Sequence, residues 1–285
     1  SLKNKRTKNI GVIIPDIVHH FFTTVFRGIE KYANEKGYNV IVCISDESIE
    51  KEVINMEMLA NGSIDGFILS LSAETQLKNE YTHLKELLDQ GIPIVLFDRV
   101  TSEIECDKVV LNDKEIAREA VEHFISAGSK NIALVTTEKY FNVSESRRYG
   151  YLDALEAHNI KIEENLILTL PHDMENDRLI TEFFQNNKVD AVLCVNEIFA
   201  IQCMSIIQNL GFNVPNDISI IGFTNGILSR FSVPRLSTVA QHGELMGERA
   251  AKLLIDRMEW VDEVEEPFKT EVINATLIKR GSSIN

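Results

Sequence analysis

No run of apolar residues in this 285-residue chain approaches the ~20 that a helix needs to cross a bilayer. The opening SLKNKRTKNI is basic but has no apolar core, so it does not read as a signal peptide. Cysteine is scarce. Cys43, Cys106, Cys194 and Cys203 form no CxxC pair and no Cys–His metal spacing. Cys43 and Cys194 fall inside strand-like apolar runs, where a thiol acts as a small hydrophobe, and all four are expected to be reduced in a cytoplasmic protein. Catalytic signatures are missing as well: no GxxxxGK[ST], GxGxxG, HExxH or GxSxG occurs in any window. His19-His20 could hold a metal only with further ligands, and no spaced Asp, Glu or Cys joins them. No cofactor is implied, and an enzyme is not expected. Positive charge is the last shortage. Twenty-nine Lys and Arg stand against 43 Asp and Glu, a formal net charge of −14, which argues against this chain gripping a phosphate backbone by itself. The exception is local: Lys3, Lys5, Arg6 and Lys8 crowd the first eight residues. They read as a frayed, solvated terminus or as a basic linker (1–8) leading in from something upstream. The start at Ser-Leu, without Met, is consistent with a processed or truncated chain.

What is present is a soluble globular composition, 44% hydrophobic and 25% charged, long enough for two domains. Short apolar strands alternate with amphipathic helices, the pattern of a parallel sheet covered on both faces. Strands are expected at 10–14, 39–44, 66–70 and 94–97, and helices at 23–36, 50–60, 77–90 and 113–127. The pattern then restarts. Lys8-Asn9-Ile10 recurs as Lys130-Asn131-Ile132 and Gly28 as Gly150, both shifted by 122; Ile64-Asp65 recurs as Val189-Asp190, shifted by 125, and Phe97 as Phe223, shifted by 126. Four matches in one order point to two copies of one unit. The expected class is α/β, two doubly wound parallel-sheet lobes.

Open parallel sheets bind ligands beyond the carboxyl ends of their strands. That rule selects residues 15–22, 70–72 and 98–99 in the first copy, and 136–147, 196–197 and 224–225 in the second, expected to converge on a cleft between lobes. Phe21-Phe22 read either as core packing or as a stacking face for a sugar or base. Arg147 offers a planar fork for hydroxyls or a carboxylate, while Arg148 reads as solvated. Asn142 and Ser144, and likewise Asn196-Glu197, read equally well as helix caps. VPNDISIIGFTN (214–225) ends a buried strand in two small polar side chains, Thr224 and Asn225.

Several blocks together resemble the effector-binding core of the LacI/GalR family of bacterial transcriptional regulators: TKNIGVIIPDIVHHFF, GIPIVLFDR, HFISAGSKNIALV, SRRYGYLDAL, VNEIFAIQCMSIIQNLGFNVPNDISIIGFTN and LSTVAQHGELMGERAAKLLIDR. The resemblance implies a type I periplasmic-binding-protein-like fold with three crossovers, lobes at 9–112 plus 240–268 and 113–239 plus 269–285, and the last strand, 271–279, in the second lobe. It also implies a homodimer and operator DNA as partner, read by an N-terminal helix-turn-helix headpiece that this chain does not carry. Carried over by position, the effector contacts are Phe21, Phe22, Asp98, Arg99, Asn142, Arg147, Asn196, Glu197, Thr224, Asn225 and Gln241. Two of these depart from the family pattern: Glu197 stands where the family has Asp, and Thr224 where it usually has Asp. The effector expected is a sugar or sugar phosphate, with a purine the next candidate. A periplasmic solute-binding protein of a sugar transporter is the alternative, on the same fold.

Overall fold

The computed structural model describes residues 6–139, 141–172 and 175–285, so Lys3 and Lys5 of the basic stretch and Tyr140 of the 136–147 loop lie outside it. The chain forms two compact units, Ser1–Leu111 with His242–Ile273, and Asn112–Gln241 with Asn274–Asn285.

In the first unit, strands β1 (Asn9–Ile14), β2 (Asn39–Ile44), β3 (Gly66–Leu69), β4 (Ile94–Phe97) and β5 (Asp107–Leu111) join a late strand, β11 (Thr270–Ile273), in the order β11-β5-β4-β3-β1-β2, all parallel. Ile10, Val12, Ile13, Phe67, Ile68 and Leu69 are wholly buried, as strands covered on both faces require. The covering helices are α1 (His20–Glu35), α2 (Ile49–Ala60), α3 (Ala73–Lys78), α4 (Thr82–Asp89) and α10 (Gly243–Met258). The second unit repeats the plan with β6 (Ile132–Thr136), β7 (Ile167–Thr169), β8 (Ala191–Cys194), β9 (Ser219–Phe223), β10 (Ser237–Ala240) and β12 (Thr276–Ile278), ordered β12-β10-β9-β8-β6-β7. Here, among the described residues, only the edge strand β12 runs antiparallel. Its helices are α5 (Asp113–Ser126), α6 (Asn142–Ala157), α7 (Asp177–Asn186), α8 (Glu197–Asn209) and α9 (Ile227–Phe231).

The residues matched by offset do matching jobs. A Cβ on Gly28 would sit 2.0 Å from the Glu244 carbonyl oxygen, and one on Gly150 would sit 2.2 Å from that of Lys114. Each glycine therefore lets α1 close on α10, or α6 on α5, to a distance no side chain allows. Asp65 accepts the backbone N–H of Lys8 at 3.0 Å, and Asp190 that of Lys130 at 2.9 Å, so each carboxylate anchors the entry to the first strand of its unit.

The sequence expectations need correction at four points. The helix read at 77–90 is two helices, because Asn79 adopts φ 48° and caps α3 in the left-handed region that Asn tolerates. Strand β5 has a polar start, DKVVL, and its alternating burial hid it among longer apolar runs. The segment 271–279 does not belong to one lobe: β11 pairs with β5 in the first unit, and the chain passes to the second between Ile273 and Asn274 rather than at 268/269. TEVINATLI alternates like a single strand, but Asn112 Oδ1 accepts the Ala275 N–H at 2.8 Å and draws the chain into the second unit. The middle passage falls at 241/242, two residues past the position expected.

Candidate functional site

In the first unit, the carboxyl ends of β1 and β4 bring four expected residues together. Phe21 and Phe22 lie in the first turn of α1 and are both buried. Phe22 packs edge-on to Phe97, centroids 6.4 Å apart, and Arg99 stands over its other environment with Cζ 5.5 Å from the ring centroid. Asp98 holds φ 59°, its N–H donating to the Val109 carbonyl, and this turn swings Arg99 back across the loop after β3. Arg99 Nη1 donates to Glu47 Oε1 at 2.5 Å, and Glu47 Oε1 also accepts the Ala73 N–H at 3.1 Å. The guanidinium is thus held by a charge-assisted bond and pinned to the start of α3. Sequence reasoning passed over Glu47; its only signal is a position just after β2, at the same edge of the sheet.

The carboxyl edge of β8, β9 and β10 carries the second cluster. Arg147, one and a half turns into α6, is 5% exposed. Its Nε donates to Asp113 Oδ1 at 2.8 Å, its Nη1 to the Val195 carbonyl at 2.7 Å, and its Cζ lies 4.1 Å from the Phe223 centroid. Burial pushes the Asp113 carboxyl up from its ordinary range, and the Arg147 charge beside it opposes that. Asp113, at the start of α5, was not among the expected residues. Its late partner, 34 positions on, is invisible to any local pattern.

Asn196 is an N-cap: its side chain accepts the Phe199 N–H at 2.8 Å and starts α8. Glu197 does not extend a free carboxylate from the strand end. Its Oε2 accepts the N–H groups of Gly226 and Ser229, at 2.8 and 3.2 Å, and the Ser229 hydroxyl. A Cβ on residue 226 would come within 2.4 Å of Oε1, so Gly226 is what lets the carboxylate close over this loop. Asn225 turns to the side and accepts from Arg280 Nη2 at 2.6 Å. Asn142 is the first residue of α6, whose N-cap is Phe141, so neither Asn142 nor Ser144 stands at the N-cap position.

Thr224 holds φ 80°, and its hydroxyl donates to Gln241 Oε1 at 2.5 Å. Its N–H donates to the Val239 carbonyl, as Asp98 does to Val109, so the two residues occupy one position of the repeated unit. Gln241 is buried, and its Oε1 is engaged by this hydroxyl. The carboxyl edge of the second unit therefore carries a guanidinium, a carboxamide and a hydroxyl, and the carboxylates of Asp113 and Glu197 are bonded to protein partners. Among the described residues no cluster of His, Cys, Asp or Glu is arranged to hold a metal.

Comparison with known proteins places this geometry. A family model described as a periplasmic binding protein-like domain matches residues 121–283. The HTH-type transcriptional regulator RegA of Clostridium saccharobutylicum is 30% identical over 287 residues, spanning 100% of this chain and 84% of RegA. This chain belongs to the LacI/GalR family of transcriptional regulators. The ribose operon repressor of Haemophilus influenzae is 27% identical over 99% of the chain and 83% of its own length. A LacI-family transcriptional regulator from Enterococcus faecium, solved with bound ribose, is 29% identical, covers 96% of this chain and 98% of its own, and superposes with a TM-score of 0.84. The family's two-lobe α/β architecture is the one described above, and no helix among the described residues is long and apolar enough to cross a membrane.

Proposed function

We propose that this LacI/GalR-family chain is a sensing core that binds a small polyhydroxylated molecule, a sugar or sugar derivative, and thereby modulates the operator affinity of a DNA-reading part. The observation that carries the reading is Arg147. A guanidinium this buried is fixed by Asp113, the Val195 carbonyl and the Phe223 face, which preorganises its remaining N–H groups for hydroxyl or anionic oxygens. Asn142, Asn196, Thr224 and Gln241 are its proposed co-ligands; Phe21, Phe22, Asp98 and Arg99 are proposed contacts at the equivalent edge of the first unit. Glu197 and Asn225 are assigned to shaping the loop after β9. Ribose in the Enterococcus faecium regulator and a ribose operon in the Haemophilus relative support a pentose as the first ligand to try. A purine is the second choice. The chain is read as a binding protein rather than an enzyme, acting in the cytoplasm as a homodimer to match paired half-sites.

A thermal-shift screen over pentoses, hexoses, their phosphates and nucleobases tests this. Ligand at a hundred times its dissociation constant stabilises the folded state by ~2.7 kcal/mol, a readable shift. The expected result is a sugar-class hit that Gln241→Ala weakens at least tenfold while the variant's own melting point stays near that of the parent. A hit whose affinity is the same in Gln241→Ala and Asn142→Ala would remove the second unit's carboxyl edge as the site.

A further inference from the structure

The first unit holds a cavity of 310 Å³ between α2 and α4, built from residues that play no part in the carboxyl-edge clusters. Its floor is apolar: Met56 and Leu87 line it and are both buried. One polar side chain reaches it from the interior. His83, in the first turn of α4, is 7% exposed and lines the cavity. Its Nε2 lies 2.7 Å from Oε1 of Glu52, a wholly buried residue of α2. Glu52 also accepts the Ser72 N–H at 2.7 Å and the Thr75 hydroxyl at 2.8 Å, so both of its oxygens face donors. Nε2 of the imidazole must donate as well, because a carboxylate has only acceptors to offer. That bond fixes the tautomer and leaves the lone pair of Nδ1 as the other end of the ring. No described residue satisfies Nδ1. A ring this buried, backed by a carboxylate and open at one nitrogen, is an acceptor aimed into the cavity.

The rest of the wall favours a positively charged donor. Glu57 on α2 and Glu86 on α4 line it, and neither carboxylate forms an ion pair among the described residues. Lys85 is next to Glu86 in sequence but is not part of the wall. Asn61 and Gln90, the C-caps of α2 and α4, line the same cavity. Both helices therefore end on it, and neither has a basic residue in its last turn to offset the negative end of its dipole. A cation there is stabilised by two carboxylates, two helix ends and a nitrogen lone pair. The set is not a metal cage, since among the described residues no cluster of His, Cys, Asp or Glu is arranged to hold one. The lone pair selects an N–H donor, and the buried methionine and leucine select methylenes. Together they describe an alkylammonium ion.

We propose that the groove between α2 and α4 is a binding site for a short aliphatic diamine, with one ammonium donating to Nδ1 of His83 and the carboxylates of Glu57 and Glu86 neutralising the two charges. The methylene chain lies on Met56 and Leu87. A diamine suits the site better than a monoamine because each helix contributes one carboxylate. The inference is independent of the effector reading, since it uses none of the residues proposed for the effector.

The test is calorimetric titration of the 285-residue chain with putrescine, a diamine on a four-carbon stem, and with butanediol, its neutral counterpart, at fixed ionic strength so that screening is constant. The expected result is one saturable putrescine site per chain and no binding of butanediol. Glu57→Gln/Glu86→Gln should weaken putrescine by about tenfold while leaving the melting point in place, because both side chains are exposed. His83→Gln keeps a donor towards Glu52 and removes the Nδ1 acceptor, so it should weaken binding by about the same factor. The carboxylate variant keeps the test decisive if His83→Gln loosens the fold. Glu35→Gln/Glu156→Gln removes the same charge at exposed positions elsewhere and should leave the affinity unchanged. No saturable putrescine binding, equal binding of butanediol, or unchanged affinity in Glu57→Gln/Glu86→Gln would overturn the proposal. An equal loss in Glu35→Gln/Glu156→Gln would overturn it too, by showing that net charge alone attracts the amine.

Discussion

Thr224 sets two opposing effects against each other, and their difference can be measured. Its φ of 80° places a β-branched residue in the left-handed region, where Asp98 sits at 59° in the first unit. Holding such a residue there costs about 1–3 kcal/mol. Asn and Asp enter the region more readily because their short polar side chains bond locally. On the other side, the hydroxyl donates to Gln241 Oε1, a bond that contributes about 1 kcal/mol net. Thr224→Ala loses the bond and keeps part of the strain, so a loss of roughly 0.5–1 kcal/mol is expected. Thr224→Asn keeps a donor within reach of Gln241 and removes the branching, so a gain of about 1 kcal/mol is expected. Urea unfolding followed by far-UV circular dichroism gives the order directly, provided the m value is unchanged. The order should be Asn above Thr above Ala. An Asn variant less stable than the parent by more than ~1 kcal/mol would mean that this backbone carries no branching strain. Thr would then need no reason beyond stability to stand where Asp stands in the first unit.

Arg147→Met leaves Asp113 buried without its counter-charge and should cost ~3–5 kcal/mol, whereas Asp113→Leu/Arg147→Met should recover most of that loss. Additive single losses in a denaturation cycle would show that the pair is not coupled. Tyr38, buried and donating to Glu259, has its phenol pushed up to about 12 by burial first and by that carboxylate second. Because the folded value lies above the ordinary ~10, the stability this phenol contributes is full below pH ~10 and is lost as pH rises toward 12. The stability advantage of the parent over Tyr38→Phe should therefore shrink across that window. An advantage that stays constant to pH 12 would show that the phenol is not held by burial and Glu259.

Much of the fold is legible because it rests on local regularities. Apolar runs such as Ile10–Ile14 must be buried on both faces, amphipathic helices must cover them, and Gly28 and Gly150 mark the two closest helix contacts. The candidate site is only half legible. Position just after a strand selects Asp98, Arg99, Asn196, Glu197 and Thr224, but does not say which way each side chain turns. Glu197 and Asn225 look like ligand contacts in the sequence, yet they turn to Ser229 and Arg280. Glu47 and Asp113 look like ordinary loop and helix-start acids, yet they hold the two arginines.

The sequence by itself determined the alternation of strands and helices, the duplication of the unit and the family, and it singled out the edge of each sheet proposed for a ligand, because these follow from periodicity and residue order. Only the tertiary structure decided which polar groups remain available there. A carboxylate near the end of a strand can face outward or satisfy a buried N–H, and the choice depends on donors that, for Glu197, are brought near it from 29 and 32 positions away. For the same reason the passage at 273/274 escaped the sequence: whether Thr270–Ile278 is one strand or two depends on β5 and β10, its hydrogen-bonding partners in the two sheets.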